Sequence, residues 1–223
     1  MSLSSIGTAS ANNISADQPQ DCLINRLAEA CALDHLNIYV GPQSVEPGET
    51  IYIAIEATNK YGGSGTADKV TIVDKQSGKE YSARLNNGLA YLELSAPSQA
   101  GRLTFQAFDK AVKSSTAEVL VHAAKPGEFD LRIEKDRNQV FVNSSLLSDS
   151  FGNLIEDGQT ARIDVTSKDE LLFSSQVHTE NSRLSFRLDC KELVASDIAI
   201  SVRIRGAQSK TPIPSFFCGP RIR

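Results

Sequence analysis

The sequence predicts an all-β chain of two tandem β-sandwiches preceded by a short helical segment, and three observations lead there. Apolar residues recur with a period of two along most of the chain, the spacing of strands with one buried face. Turn-forming Gly, Pro, Asn and Asp interrupt that alternation at short intervals, as they do in sandwiches and barrels. The pattern then occurs twice, because positions 90 to 95 residues apart carry the same turn or the same apolar face. With 223 residues, 40% hydrophobic and 22% charged, the chain is long enough for two cores and too apolar to be a disordered segment.

Residues 1–20 contain no Lys or Arg and no apolar run, so they are not an intact signal peptide; their Ser, Thr and Asn predict a flexible leader. A short helix is predicted over 21–34, where Leu23, Leu27 and Ala30 stand at helical spacing behind Asp21 as N-cap. The first sandwich is placed at 35–124. Ile51, Ile53 and Ile55, then Val70 and Ile72, Ala90, Leu92 and Leu94, Leu103, Phe105 and Ala107, and Val119 and Val121 each mark one strand face. Pro47-Gly48, Gly62-Gly63, Ser77-Gly78, Asn86-Asn87-Gly88 and Gly101 supply the turns between them. The second sandwich is placed at 125–223, with the junction near Ala123-Ala124-Lys125-Pro126-Gly127, where Pro and Gly punctuate the chain. In it Phe151-Gly152 repeats Tyr61-Gly62, Asn181 repeats Asn87, Leu184, Phe186 and Leu188 repeat Ala90, Leu92 and Leu94, and Ile198, Ile200 and Val202 repeat Leu103, Phe105 and Ala107. Pro212 and Pro214 each remove a ladder donor, which predicts a short edge strand or loop at the end of this copy.

Three segments, Val45-Glu46-Pro47-Gly48-Glu49-Thr50, Asp149-Ser150-Phe151-Gly152-Asn153 with Glu156-Asp157-Gly158, and Gly88-Leu89-Ala90 followed by Ala100-Gly101, carry a family resemblance. Over Leu36 to Cys218 the chain resembles the tandem bacterial immunoglobulin-like domains of invasin- and intimin-type surface proteins. The resemblance implies two immunoglobulin-like sandwiches of about six to eight strands each. Tyr61 and Phe151 are then expected to tuck an aromatic ring over the open end of each sandwich. Trp is absent and the cysteines do not follow the antibody arrangement, so that branch is set aside.

Four cysteines permit two bridges. A continuous helix would hold Cys22 and Cys31 about 13 Å apart along its axis, so helix and local bridge exclude each other there. If the segment turns back, Cys22 with Cys31 and Cys190 with Cys218 is the simplest of three pairings; buried free thiols are the rival reading. No Cys-x-x-Cys or Cys/His pair has the spacing of a zinc site, and the carboxylates near Asp149 lack the EF-hand spacing for calcium, so no metal or other cofactor is expected. His35, His122 and His178 are isolated in sequence, no Gly-x-Ser-x-Gly elbow is present, and Gly62-Gly63-Ser64-Gly65 lacks the Gly-Lys-Ser/Thr ending of a phosphate loop. The chain is therefore read as non-enzymatic. A net charge of −4 gives no footprint for nucleic acid, and no apolar run reaches the roughly 18 residues that span a bilayer.

Arg203 and Arg205 alternate with Val202 and Ile204, which predicts that they leave the core; a solvated sheet face or edge protection is the ordinary role of such residues, and contact with an acidic partner is the functional alternative. The family resemblance implies a non-enzymatic cell-envelope or surface protein, exported to the periplasm or cell surface, that acts in adhesion or protein binding. The signal peptide would then be absent from this form. Tyr61, Phe151, Arg203 and Arg205 are the candidate contacts for a protein partner. The alternatives are a structural subunit of a larger homo- or hetero-assembly, such as a secretion system, pilus or phage particle, and an accessory module of a carbohydrate-active enzyme.

Overall fold

The computed structural model describes residues 31–168, 170–193, 197–214 and 218. The amino-terminal repeat runs β1 (His35–Gly41), β2 (Ser44–Val45), β3 (Thr50–Thr58), β4 (Lys69–Asp74), β5 (Glu80–Arg84), β6 (Leu89–Ser95), β7 (Gly101–Asp109) and β8 (Val112–Val121). The carboxy-terminal repeat runs β9 (Leu131–Asp136), β10 (Gln139–Ser144), β11 (Thr160–Ser167), β12 (Glu170–His178), β13 (Ser185–Asp189), a 3-10 turn (Cys190–Glu192), β14 (Ile198–Ile204) and β15 (Ala207–Pro212).

Hydrogen bonding orders these strands into four sheets, β1-β3-β6, β2-β8-β7-β4-β5, β9-β10-β13 and β12-β11-β14-β15. The second pair of sheets repeats the topology of the first strand for strand: β1, β3 and β6 correspond to β9, β10 and β13, and β5-β4-β7-β8 to β12-β11-β14-β15. Only β2 has no counterpart among the described residues. It pairs parallel with β8, Ser44 beside Leu120 and Val45 beside Val121.

Chain proximity divides the molecule into two compact units. The first comprises Tyr52–Glu93, Thr104–Glu118 and the described residues up to Val40; the second comprises Gly41–Ile51, Leu94–Leu103 and the described residues from Val119 onward. We propose that the repeat boundary itself lies between Ala124 and Lys125, because the strand order restarts at β9. Inside the first unit Leu36, Ile38, Ile53, Ile55, Val70, Ile72, Phe105 and Ala107 are buried, alternating with half-buried or exposed neighbours. In the second, Val140, Val142 and Leu188 of one sheet and Ile163, Val165, Ile200, Val202 and Ile204 of the other form one cluster, the filling of a two-layer sandwich.

The repeated turns have the same physical basis in both copies. Asn87 and Gly88 take φ of 50° and 77° where the chain reverses into β6, and Asn181 and Ser182 take 52° and 55° where it reverses into β13. Two successive positive φ angles match a tight hairpin to the twist of its strands. Gly88 is required twice over, since a Cβ there would lie 2.7 Å from the Ala57 carbonyl oxygen.

Two expectations change. The predicted helix falls partly on residues outside the described ones, but the described 31–34 are not helical. Ala32 forms a parallel bridge with Thr66, and the Cys31 carbonyl accepts from both the Thr66 N–H (2.7 Å) and its hydroxyl (2.8 Å), so extended pairing outcompetes the helical ladder. Tyr61 and Phe151 do not cover the ends of the sandwiches; they are 66% and 56% exposed. β15 is an edge strand, reaching Pro212 beside Ala199 and, among the described residues, pairing with β14 alone.

Candidate functional site

The loops that carry Tyr61 and Phe151 are built alike. The Asn59 side-chain oxygen accepts the N–H groups of Tyr61 (2.9 Å) and Gly63 (3.0 Å), and Asp149 Oδ1 accepts those of Phe151 and Asn153 (both 2.9 Å). Each side chain thus closes a turn on its own backbone, and the ring two residues later is turned outward. The second side-chain atom explains why one copy has Asn and the other Asp. Asn59 Nδ2 lies 3.5 Å from the Ser64 carbonyl and donates, whereas Asp149 Oδ2 accepts from Ala124 N–H (2.9 Å) and Asn153 Nδ2 (2.8 Å). Burial pushes the Asp149 carboxyl up, but its hydrogen bonds from Asn153, Ala124 and Phe151 more than reverse this and hold it below the ordinary carboxylate value.

Arg203 leaves β14 on the solvent side, where its guanidinium is taken by Asp164. Asp164 is a nearly buried carboxylate, its side chain 6% exposed, and its Oδ1 also accepts from Arg162 Nε (2.8 Å) and the Ser174 hydroxyl (2.7 Å). Burial raises this carboxyl, and the bonds from Arg162, Arg203 and Ser174 with the Arg162 charge overcome it, leaving a pKa of about 2. Arg162 and Arg203 stand directly opposite each other on β11 and β14, so the carboxylate keeps two like charges apart. Arg205 lies one residue past β14, in the turn to β15 with φ 44°. It donates to the carbonyls of Ala123 (2.9 Å) and Ala124 (3.4 Å) and pairs with Glu46, all within the second unit. There it borders an open recess with Glu49, His122 and Gln159. Glu156 in the same recess accepts Ala123 N–H (2.9 Å) and lies 3.1 Å from His122 Nδ1. Burial raises the Glu156 carboxyl, and the backbone N–H of Ala123 with His122 brings it below its usual value.

Among the described residues no group of three His, Cys, Asp or Glu side chains is arranged to hold a metal ion. The acidic cluster weighed for calcium is dispersed over separate donors: Asp149 and Glu156 as above, and Asp157 on Ser182 N–H (3.0 Å). Cys190 and Cys218 form a disulfide with Cα atoms 5.1 Å apart. Cys31 is also disulfide-bonded, and Cys22 lies outside the described residues.

A feature that the sequence reading passed over lies on the sheet β1-β3-β6. Tyr39, Tyr52 and Tyr91 come one from each strand and are 56%, 55% and 74% exposed, while Ile38, Ile51, Ile53 and Ala90 beside them are buried. All three rings therefore stand on the solvent face. Glu56 shares this face, its Oε2 accepting from Asn37 Nδ2 (3.2 Å) and the Tyr39 hydroxyl (3.4 Å). The signal was present as Tyr at outward positions of three strands, but period-two analysis follows the apolar inward set and treats the outward set as solvent.

No family model and no curated protein matches the sequence. Among solved structures the fold is similar to that of FdeC, described as a broadly conserved Escherichia coli adhesin, with a TM-score of 0.59 at 12% identity over 82% of this chain. The adhesin InvE of Yersinia pseudotuberculosis and a two-domain fibronectin type III segment of chicken tenascin align over 82% and 81% of the chain at 11% and 12% identity, with TM-scores of 0.39 and 0.35. The chain spans 66% of the FdeC structure and 60% of that of InvE. The chain is thus all-β, with tandem immunoglobulin-like sandwiches of the kind seen in FdeC.

Proposed function

We propose that this chain is a non-enzymatic binding segment of a bacterial cell-envelope or surface protein, acting in adhesion or protein–protein contact outside the cytoplasm. The observation that carries this reading is the tandem immunoglobulin-like architecture, shared with the E. coli adhesin FdeC over most of the chain. The Cys190–Cys218 bridge supports the compartment, since such bonds persist where thiols are not kept reduced. The surface supports binding over assembly by charge alone: Arg203 and Arg205 are engaged within the second unit, while aromatic side chains are left to solvent.

The test is adherence. The chain displayed on a non-adherent bacterium is expected to increase attachment to host cells or immobilised matrix proteins over the empty display vector. Attachment equal to the empty vector overturns the adhesion reading. Disulfide mapping of protein from its native host, made without reductant, tests the compartment separately, and free thiols at Cys190 and Cys218 would overturn it.

A further inference from the structure

We infer that the outward face of β1-β3-β6 is a docking surface for a basic polypeptide segment, one that presents Arg or Lys side chains to Tyr39, Tyr52 and Tyr91. The inference rests on the protein-binding reading above and names the chemistry of the partner. β1, β3 and β6 contain two carboxylates, Glu56 and Glu93, and no Lys or Arg, in a chain that has 23 basic residues. Both carboxylates occupy outward positions in register with the tyrosines, Glu56 four residues beyond Tyr52 and Glu93 two beyond Tyr91. His35 at the start of β1 is already beside Asp34, at 3.0 Å.

The fold does not require this arrangement, because the corresponding sheet of the other repeat lacks it. On β9-β10-β13 the outward positions carry Arg132 paired with Glu134 (2.8 Å) and Gln139 bonded to Asp189 (3.3 Å). The aromatic ring there, Phe141, stands between Glu134 on one side and Arg187 on the other, and is only partly exposed. One sheet thus balances its charges and shields its ring; its counterpart shows three rings and an unbalanced negative charge.

Each half of that surface selects the same ligand class. The face of a tyrosine ring attracts a guanidinium or ammonium group, and a carboxylate beside it supplies the countercharge. The Glu56 carboxylate is already oriented through Oε2 by Asn37 and Tyr39, and neither of those bonds uses Oε1. An acidic ligand would meet Glu56 and Glu93 with no cation among these strands to receive it. Rigid tyrosines on a strand scaffold lose little freedom on binding, which suits a binding hot spot.

The experiment uses the whole chain and three probes: fluorescein-labelled nona-arginine, nona-glutamate of the same length, and maltohexaose. Amide chemical shifts locate the binding and fluorescence anisotropy measures it. Nona-arginine is expected to bind in a salt-sensitive manner and to shift Tyr39, Tyr52, Tyr91 and Glu56, while nona-glutamate does not bind. Joint Tyr52→Ala and Tyr91→Ala substitution is expected to weaken nona-arginine about tenfold or more, and Glu56→Gln by a few fold. Glu134→Gln on the corresponding sheet is expected to change nothing. The inference is overturned if nona-arginine fails to bind, or if its shifts map elsewhere and survive the tyrosine substitutions. Maltohexaose binding to these tyrosines in place of nona-arginine also overturns it, in favour of a sugar platform. The wild-type shift map decides the matter even if a tyrosine variant folds poorly. Running the tyrosine variants in the display assay separates the two claims: adherence that persists without the tyrosines sinks the docking surface alone, whereas a non-adherent wild type sinks the adhesion reading and leaves the peptide result standing.

Discussion

The two repeats share a strand order and differ in how they treat their outward faces. The carboxy-terminal repeat pairs its outward charges: Arg132 meets Glu134, and Asp164 sits between Arg162 and Arg203, with the Ser174 hydroxyl donating to the same oxygen as Arg162. The amino-terminal repeat leaves Tyr39, Tyr52 and Tyr91 in solvent on one sheet. A shared strand order therefore permits opposite surfaces. Side chains on the inward face are fixed by the core, and those on the outward face are free to serve either stability or recognition.

That contrast places the largest loss of stability at Asp164. Asp164→Ala is expected to destabilise the fold by about 3 kcal/mol in chemical denaturation, because it leaves Arg162 and Arg203 facing each other across β11 and β14 with their bonds unmade. An unchanged midpoint would erase the paired outward charges as a stabilising device.

The same carboxylate gives a pH signature. Its folded pKa of about 2 lies below the ordinary 3.8, so it contributes stability that is fully present above about pH 4 and is lost as pH falls through about 2. The contribution is on the order of 2 kcal/mol. Asp164→Asn is expected to remove that part of the acid limb in urea titrations at successive pH values. An identical limb in the variant would assign the acid sensitivity to other groups.

A smaller effect separates the two aromatic loops. Asp149→Asn turns an amide donor toward Ala124 N–H or Asn153 Nδ2 and is expected to cost about 2 kcal/mol. Asn59→Asp turns a carboxylate toward the Ser64 carbonyl and is expected to cost about 1 kcal/mol. Thermal unfolding of the reciprocal pair reads both, and equal tolerance of the exchange would remove the reason offered for the Asn/Asp difference. The smallest effect belongs to the tyrosine face, where Tyr52→Ala and Tyr91→Ala are expected to stay within about 0.5 kcal/mol of wild type, since exposed side chains away from caps and cores contribute little. A loss of 2 kcal/mol would make these rings part of the packing and not a surface reserved for a partner.

How much of this was legible beforehand depends on the range of the interaction. Tyr61-Gly62 and Phe151-Gly152 announced the same turn because the bonds that make it lie within five residues. The inward faces, from Ile51-Ile53-Ile55 to Ile198-Ile200-Val202, were likewise written in period two. The same period predicts that Arg203 and Arg205 face outward. Their actual neighbours could not be read, because Asp164 is 39 residues from Arg203 and Glu46 is 159 from Arg205. The helix expected over 21–34 gave way at its described end for a related reason: the Thr66 groups that draw Cys31 into a bridge are 35 residues away.

The sequence by itself determined the all-β class, the twofold repeat and the turns, because alternation, Gly and Asn conformations and side-chain capping act over a few residues. Tertiary structure decided which outward charges cancel and which aromatics remain uncovered. That choice depends on strand order, which brings β11 beside β14 and β1, β3 and β6 into one sheet, and strand order is set by the packing of the whole sandwich.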